Sequence, residues 1–118
     1  MKKWTVKILP DAEDDIEVIY VYITTELLEP ITAVNLIKRI KEAIFKLDHM
    51  PERFRLYDKE PWRSKGLCLF SIGNYIIFYH VVPESNTVYI DAVIYGARDL
   101  EAALKRGETT GFEDLLIK

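Results

Sequence analysis

The chain has 118 residues, 49% of them hydrophobic and 30% charged, with a formal net charge of −3. That balance fits one folded domain with its own core and excludes an intrinsically disordered chain. Cys68 is the only cysteine, which excludes an intrachain disulfide, and one Cys with two His excludes a Cys/His zinc site within a single chain.

The opening MKKWTVKILP alternates instead of forming a continuous apolar run, so no signal peptide is expected. No stretch is long enough to span a bilayer, and a reducing cytoplasm is the expected setting. The charge is uneven: residues 1–30 carry net −4, residues 31–65 net +4 and residues 66–118 net −3. Only the middle third offers a basic field of the kind a nucleic-acid binder uses, and a solvated helix face with a polar loop explains it equally well.

In chain order, Trp4, Val6 and Ile8 share one face of an alternating segment, a half-buried strand. Pro10 suits the first turn of a helix, and Asp11, Glu13, Asp14 and Asp15 suit its dipole. Ala12, Ile16, Ile19, Ile23 and Leu27 then form one stripe, predicting a helix that ends near Leu28. Pro30 breaks the pattern and Thr32 is the expected N-cap of a second helix. Its stripe runs through Ala33, Leu36, Ile37, Ile40, Ala43, Ile44 and Leu47, and Pro51 closes it. The short link predicts an antiparallel helical hairpin. Residues 49–65 have no period and read as a loop.

From Leu67 the composition is β-type. LCLFSIGNYIIFYHVV (67–82) reads as two strands around Gly73-Asn74, and Glu84-Ser85-Asn86 leads to a third strand, Thr87 to Tyr95. Asp99 to Gly107 reads as a short helix with Asp99 as N-cap and Gly107 as stop. The resulting fold class is α+β: a two-layer sandwich with an N-terminal strand, a helical hairpin, an antiparallel three-stranded meander and a short C-terminal helix. The expected sheet is antiparallel with about four strands. One domain is expected over 1–107, with 108–118 as a tail.

The acidic helix opening DAEDDIEVIYVYI, MPERF after the second helix, GNYIIFYHV and VYIDAVIYGARDL occur in an order and spacing that resembles the RelE/ParE toxins of bacterial type II toxin–antitoxin modules. The resemblance covers roughly residues 3–105. It implies a growth-inhibiting toxin neutralised by a cognate antitoxin. It implies one of two actions: metal-independent, ribosome-dependent mRNA cleavage, or a non-enzymatic ParE-like inhibition of DNA gyrase, with a homologue that has lost activity as a variant of the second. The partners implied are therefore an antitoxin with ribosome and mRNA, or with gyrase, and no membrane. No cofactor and no metal are expected. The chain departs from similar sequences at Cys68 and Ala92, where arginine is common, and in its acidic net charge.

RNA cleavage without metal needs a base for the 2′-hydroxyl, a cation for the phosphorane and an acid for the leaving oxygen. The catalytic candidates are Tyr95 and Arg98, where the last strand ends, and Arg63 before the first strand of the meander. Lys65 and Tyr57 are candidates for holding RNA, by phosphate contact and base stacking. For each there is a plainer reading: Tyr95 as a marginal aromatic, Arg98 paired with Asp99 or Glu101, Arg63 and Lys65 solvated, Tyr57 and Trp62 anchoring the loop. Both ends of the meander are expected at one edge of the sheet. His80 suits proton transfer, but a structural histidine is the expectation. Alternation groups it with Ile76, Phe78 and Val82, and the pattern leaves open which face meets the helices, since both are apolar. Cys68 reads as a small buried hydrophobe.

Overall fold

The structure, a computed structural model, describes residues 3–96 and 99–105. Strand β1 (Thr5–Ile8) leads into helix α1 (Pro10–Val21), whose first turn holds Pro10, Asp11 and Glu13. Helix α2 (Pro30–Phe45) comes next, then β2 (Cys68–Ile72), β3 (Tyr75–Val82), β4 (Thr87–Tyr95) and α3 (Leu100–Lys105). Asp99 caps α3 as expected, its carboxylate accepting the Ala102 N–H at 3.2 Å. Gly107 and residues 108–118 lie outside the described residues.

The helical hairpin differs from the sequence pattern in two places. The α-helix stops at Val21, and a π turn occupies Tyr22–Glu26, with Leu27 N–H donating to Tyr22 O. Thr25 Oγ1 donates to Val21 O at 2.7 Å, a side-chain claim on a helix carbonyl of the kind that disturbs the regular ladder. The wider turn rotates the residues after it, so Ile23 stays buried while Leu27 is thrown out to solvent. At the second helix, Pro30 begins the element instead of breaking it, because its missing N–H falls where no helical bond is needed. Thr32 is therefore inside the first turn, and its hydroxyl donates to Glu29 Oε1 at 3.0 Å.

The sheet order is β1-β4-β3-β2. β2 and β3 form the hairpin read from the sequence, turning through Gly73 at φ 57°, and β3 pairs antiparallel with β4. β1 joins the other edge parallel to β4, Thr5 beside Thr87 and Ile8 beside Ile90. The sheet is mixed, not wholly antiparallel. Tight turns force neighbouring strands antiparallel, but β1 is separated from β4 by the helical hairpin and is free of that constraint.

Both faces of the sheet are covered. On one, Ala12, Ile16, Ile40, Ile44 and Leu47 of the hairpin pack against Phe70, Ile77, Tyr79, Val88 and Ile90. On the other, Leu69, Phe78, Ala92 and Ile94 lie under Tyr57 and Trp62 of the loop and under Ala103 and Leu104 of α3. The aperiodic loop is thus fastened at several points. Leu56 bridges Cys68, and the Tyr79 hydroxyl donates to Pro51 O at 2.6 Å through the helix-side core.

Candidate functional site

Tyr95 closes β4 with its side chain exposed and its ring 5.6 Å from that of Tyr75. Gly96 is next in the chain, its N–H donating to Asn74 O at 2.8 Å, which ties the end of β4 to the β2–β3 turn. A Cβ at Gly96 would sit 3.3 Å from that same oxygen, so a side chain there would push the two segments apart. Tyr95, Ser71, Asn74 and Ile76 line a shallow hollow of about 250 Å³ at this end of the sheet.

Arg63 and Lys65 stand elsewhere. They belong to a series of turns from Lys59 to Gly66 that precedes β2, Arg63 exposed and Lys65 half-buried. Cys68, at the start of β2, pairs with Tyr79, whereas Tyr95 pairs with Tyr75. Four residues of β3 separate the two levels, about 13 Å at ~3.3 Å per residue. In a three-stranded meander the first strand starts at one end and the third finishes at the other. The expected convergence of the β2 start and the β4 end at one edge is not how these strands run. Arg98 lies outside the described residues.

Tyr57 is buried. Its ring meets Phe78 edge-on at 5.4 Å and tilts against Trp62 at 5.9 Å, and burial pushes its phenol pKa up. The packing supports the loop-anchor reading of this ring, since contacts with Phe78 and Trp62 leave no face for a base. Cys68 and Ala92, the positions where the resemblance implies arginine, lie in the cores on opposite faces. Cys68 is in the helix-side core, where burial raises its thiol pKa, and Ala92 is in the core beneath α3.

His80 is buried to 1% exposure on the face it shares with Phe78 by alternation. Its Nδ1 lies 2.8 Å from Asp91 Oδ2, and its ring stacks on Tyr89 at 5.4 Å. A bulge creates this pair. Phe78 pairs with Ala92 and Tyr79 with Ile90, so Asp91 is the extra residue on β4 and is turned toward His80. Burial pushes the Asp91 carboxyl up to about 6, against the pull of the His80 hydrogen bond. The sequence pattern did not single out Asp91; its signal was a lone acid within the apolar run VYIDAVIY. The pair is enclosed in the fold, with Asp91 Oδ1 buried and without a hydrogen-bond partner among the described residues.

The chemical content of this face is therefore narrow. Between the sheet and its cover of loop and α3, the clustered core is aromatic and aliphatic, and His80 is buried on the same face. No three His, Cys, Asp or Glu among the described residues come together as metal ligands. No helix among them is long and apolar enough to cross a membrane.

Residues 6–100 match the family described as ParE toxin of type II toxin-antitoxin system, parDE. Among curated protein sequences, none matches this chain. In solved structures, the fold is similar to a chain of the chromosomal ParDE system from P. aeruginosa, with a TM-score of 0.65 and 16% identity over 80% of this chain and 98% of that one. It is also similar to a chain of the toxin–antitoxin complex RelBE2 from Mycobacterium tuberculosis, with a TM-score of 0.61 and 22% identity over 83% of this chain and 97% of that one. At these identities the structural likeness speaks for the fold, and the family match over residues 6–100 for the kinship. That match takes in the helical hairpin and the sheet from Val6 through β4, and the chain belongs to the ParE toxin family of type II toxin–antitoxin systems.

Proposed function

We propose that this toxin arrests growth in the cytoplasm by gripping a large macromolecular target, DNA gyrase in the family's terms, and not by cutting RNA. The observation that carries this reading is the filled sheet face beneath α3. Phe78, Ala92 and Ile94 share a filled apolar core with Tyr57, Trp62 and Leu104, and Cys68 and Ala92 stand where the resemblance implies the arginines that would neutralise a phosphorane. The two relatives of similar fold come from toxin–antitoxin systems, which supports a cognate antitoxin as the neutralising partner.

The catalytic reading rests on Tyr95, exposed beside its hollow, with Arg98, Arg63 and Lys65 as cations. The separation of Tyr95 from the start of β2 weighs against a site assembled from all of them.

The test of toxin function is expression in bacteria with and without the neighbouring reading frame. Arrest that the neighbour relieves is the expected result. Normal growth at high soluble expression contradicts it.

A further inference from the structure

The helical layer has an outer face that no part of the described structure covers. On α1, Val18, Val21 and Tyr22 floor a surface hollow of about 570 Å³ rimmed by Asp14, Glu17 and Glu26. On α2, Ile31, Val34 and Phe45 are exposed along the same outer side. These six apolar residues are between 48% and 77% exposed. Residues with that exposure placed singly need no explanation, but a contiguous set along two adjacent helices marks an interaction surface.

The charges on this face are of two signs, one for each helix. The α1 side is acidic. The α2 side is basic, with Lys38, Arg39 and Lys41 exposed and Glu42 the one acid within Pro30–Phe45. Because the helices run antiparallel, the acidic first half of α1 lies at the level of the basic second half of α2. The short link between Glu26 and Pro30 sets that level, and Ala12 and Ile16 share a core with Ile40 and Ile44. Yet none of Asp14, Glu17, Lys38 and Lys41 makes an ion pair among the described residues.

We propose that the outer face of the α1–α2 hairpin is a homodimer interface in which α1 of one copy docks on α2 of a second copy. A twofold axis parallel to the helices sets α1 over the partner's α2 and keeps the levels. Asp14 and Glu17 then meet Lys38 and Lys41 of the partner subunit, and Val18, Val21 and Tyr22 meet Ile31 and Val34 of the partner subunit. The contact is isologous, so each charge match occurs twice. A partner segment of one sign would satisfy only half of this face; a second copy supplies both signs at matched positions. The layer is about 24 Å long and two helices, about 20 Å, across, on the order of 500 Å² per copy. That is at the low end for a specific interface, so the dimer is a weak one, and it weakens further as salt screens the rim charges.

Sedimentation equilibrium of the purified chain tests this at low and high salt. The parent is expected to dimerise more tightly at low salt. Lys38→Glu with Lys41→Glu, or Asp14→Lys with Glu17→Lys, is expected to weaken the dimer at least ~10-fold, because each change sets like charges opposite one another. All four changes together restore it by exchanging the signs. Circular dichroism confirms folding, which these exposed positions do not endanger. A parent that stays monomeric at all concentrations overturns the proposal and leaves the face to a different partner. Double variants that dimerise like the parent, or a folded fourfold variant that fails to recover, overturn it as well.

Discussion

The carboxylate of Asp15 accepts the backbone N–H of Val93 at 2.9 Å, joining α1 to the middle of β4. The need for it arises from strand lengths. β1 pairs with β4 only as far as Ile8 and Ile90, so the second half of β4 has an edge that no strand occupies. A buried amide without an acceptor is costly, and Asp15 supplies one from the helix. Asp15 belongs to the acidic opening of α1, whose residues read from sequence only as dipole partners.

Asp15→Ala is therefore expected to lower stability by about 1–3 kcal/mol, the range for stranding a buried donor. Asp15→Asn, which keeps an acceptor oxygen, is expected to lose less. Urea denaturation of the two variants measures both. A loss below ~0.5 kcal/mol in Asp15→Ala would show that water serves Val93 equally well.

The His80–Asp91 pair makes a prediction about pH. The folded Asp91 carboxyl is raised from its ordinary 3.8 to about 6, so the fold holds a proton that the unfolded chain releases. A raised carboxyl stabilises the fold below its unfolded pKa, and that contribution disappears as pH climbs from about 4 to about 6. A shift of about two units corresponds to roughly 3 kcal/mol. Unfolding free energies of parent and Asp91→Asn, measured across that window, should show the parent losing stability relative to the variant as pH rises, and no further change above it. Parallel profiles would mean that Asp91 is not protonated in the fold.

Ala92 tests whether a missing cation has left an open cleft. Its side chain is 3% exposed in the core with Phe78 and Ile94, so Ala92→Arg forces a guanidinium among apolar side chains. The expected result is a loss of at least ~3 kcal/mol or failure to fold, as for an unpaired buried charge. A stable Ala92→Arg protein with new RNA-cleaving activity would contradict the filled-face account.

Much of this fold was legible because period and composition carry it. The stripe from Ala12 to Leu27 became a helix only as far as Val21, while the stripe at Ala33–Leu47, the alternation at Trp4–Ile8 and the Gly73-Asn74 turn became the elements they predict. The features that failed to show have physical reasons. Alternation gives a strand's faces but not its direction, so the parallel pairing of β1 stayed hidden. Thr25 redirected the end of α1 through one side-chain hydrogen bond, which no stripe records. β3 is apolar on both faces because both are covered, so the pattern could not assign His80 to a side. Tyr57 and Trp62 sit in an aperiodic, charged loop, and only their aromaticity hinted that they close a second core. Of the candidate site, Tyr95 stands exposed at the end of β4 as the strand pattern suggested. The idea of one edge uniting it with Arg63 and Lys65 failed on the up-down-up course of the meander.

The central claim, a toxin that binds and does not cut, is tested most directly by primer-extension mapping of mRNA on translating ribosomes, run beside a gyrase supercoiling assay with the same purified protein. The account predicts no new mRNA ends with either the parent or Arg98→Ala, and dose-dependent loss of supercoiling with both the parent and that variant. Ribosome-dependent cuts made by the parent and lost in a folded Arg98→Ala, with gyrase unaffected, would contradict it.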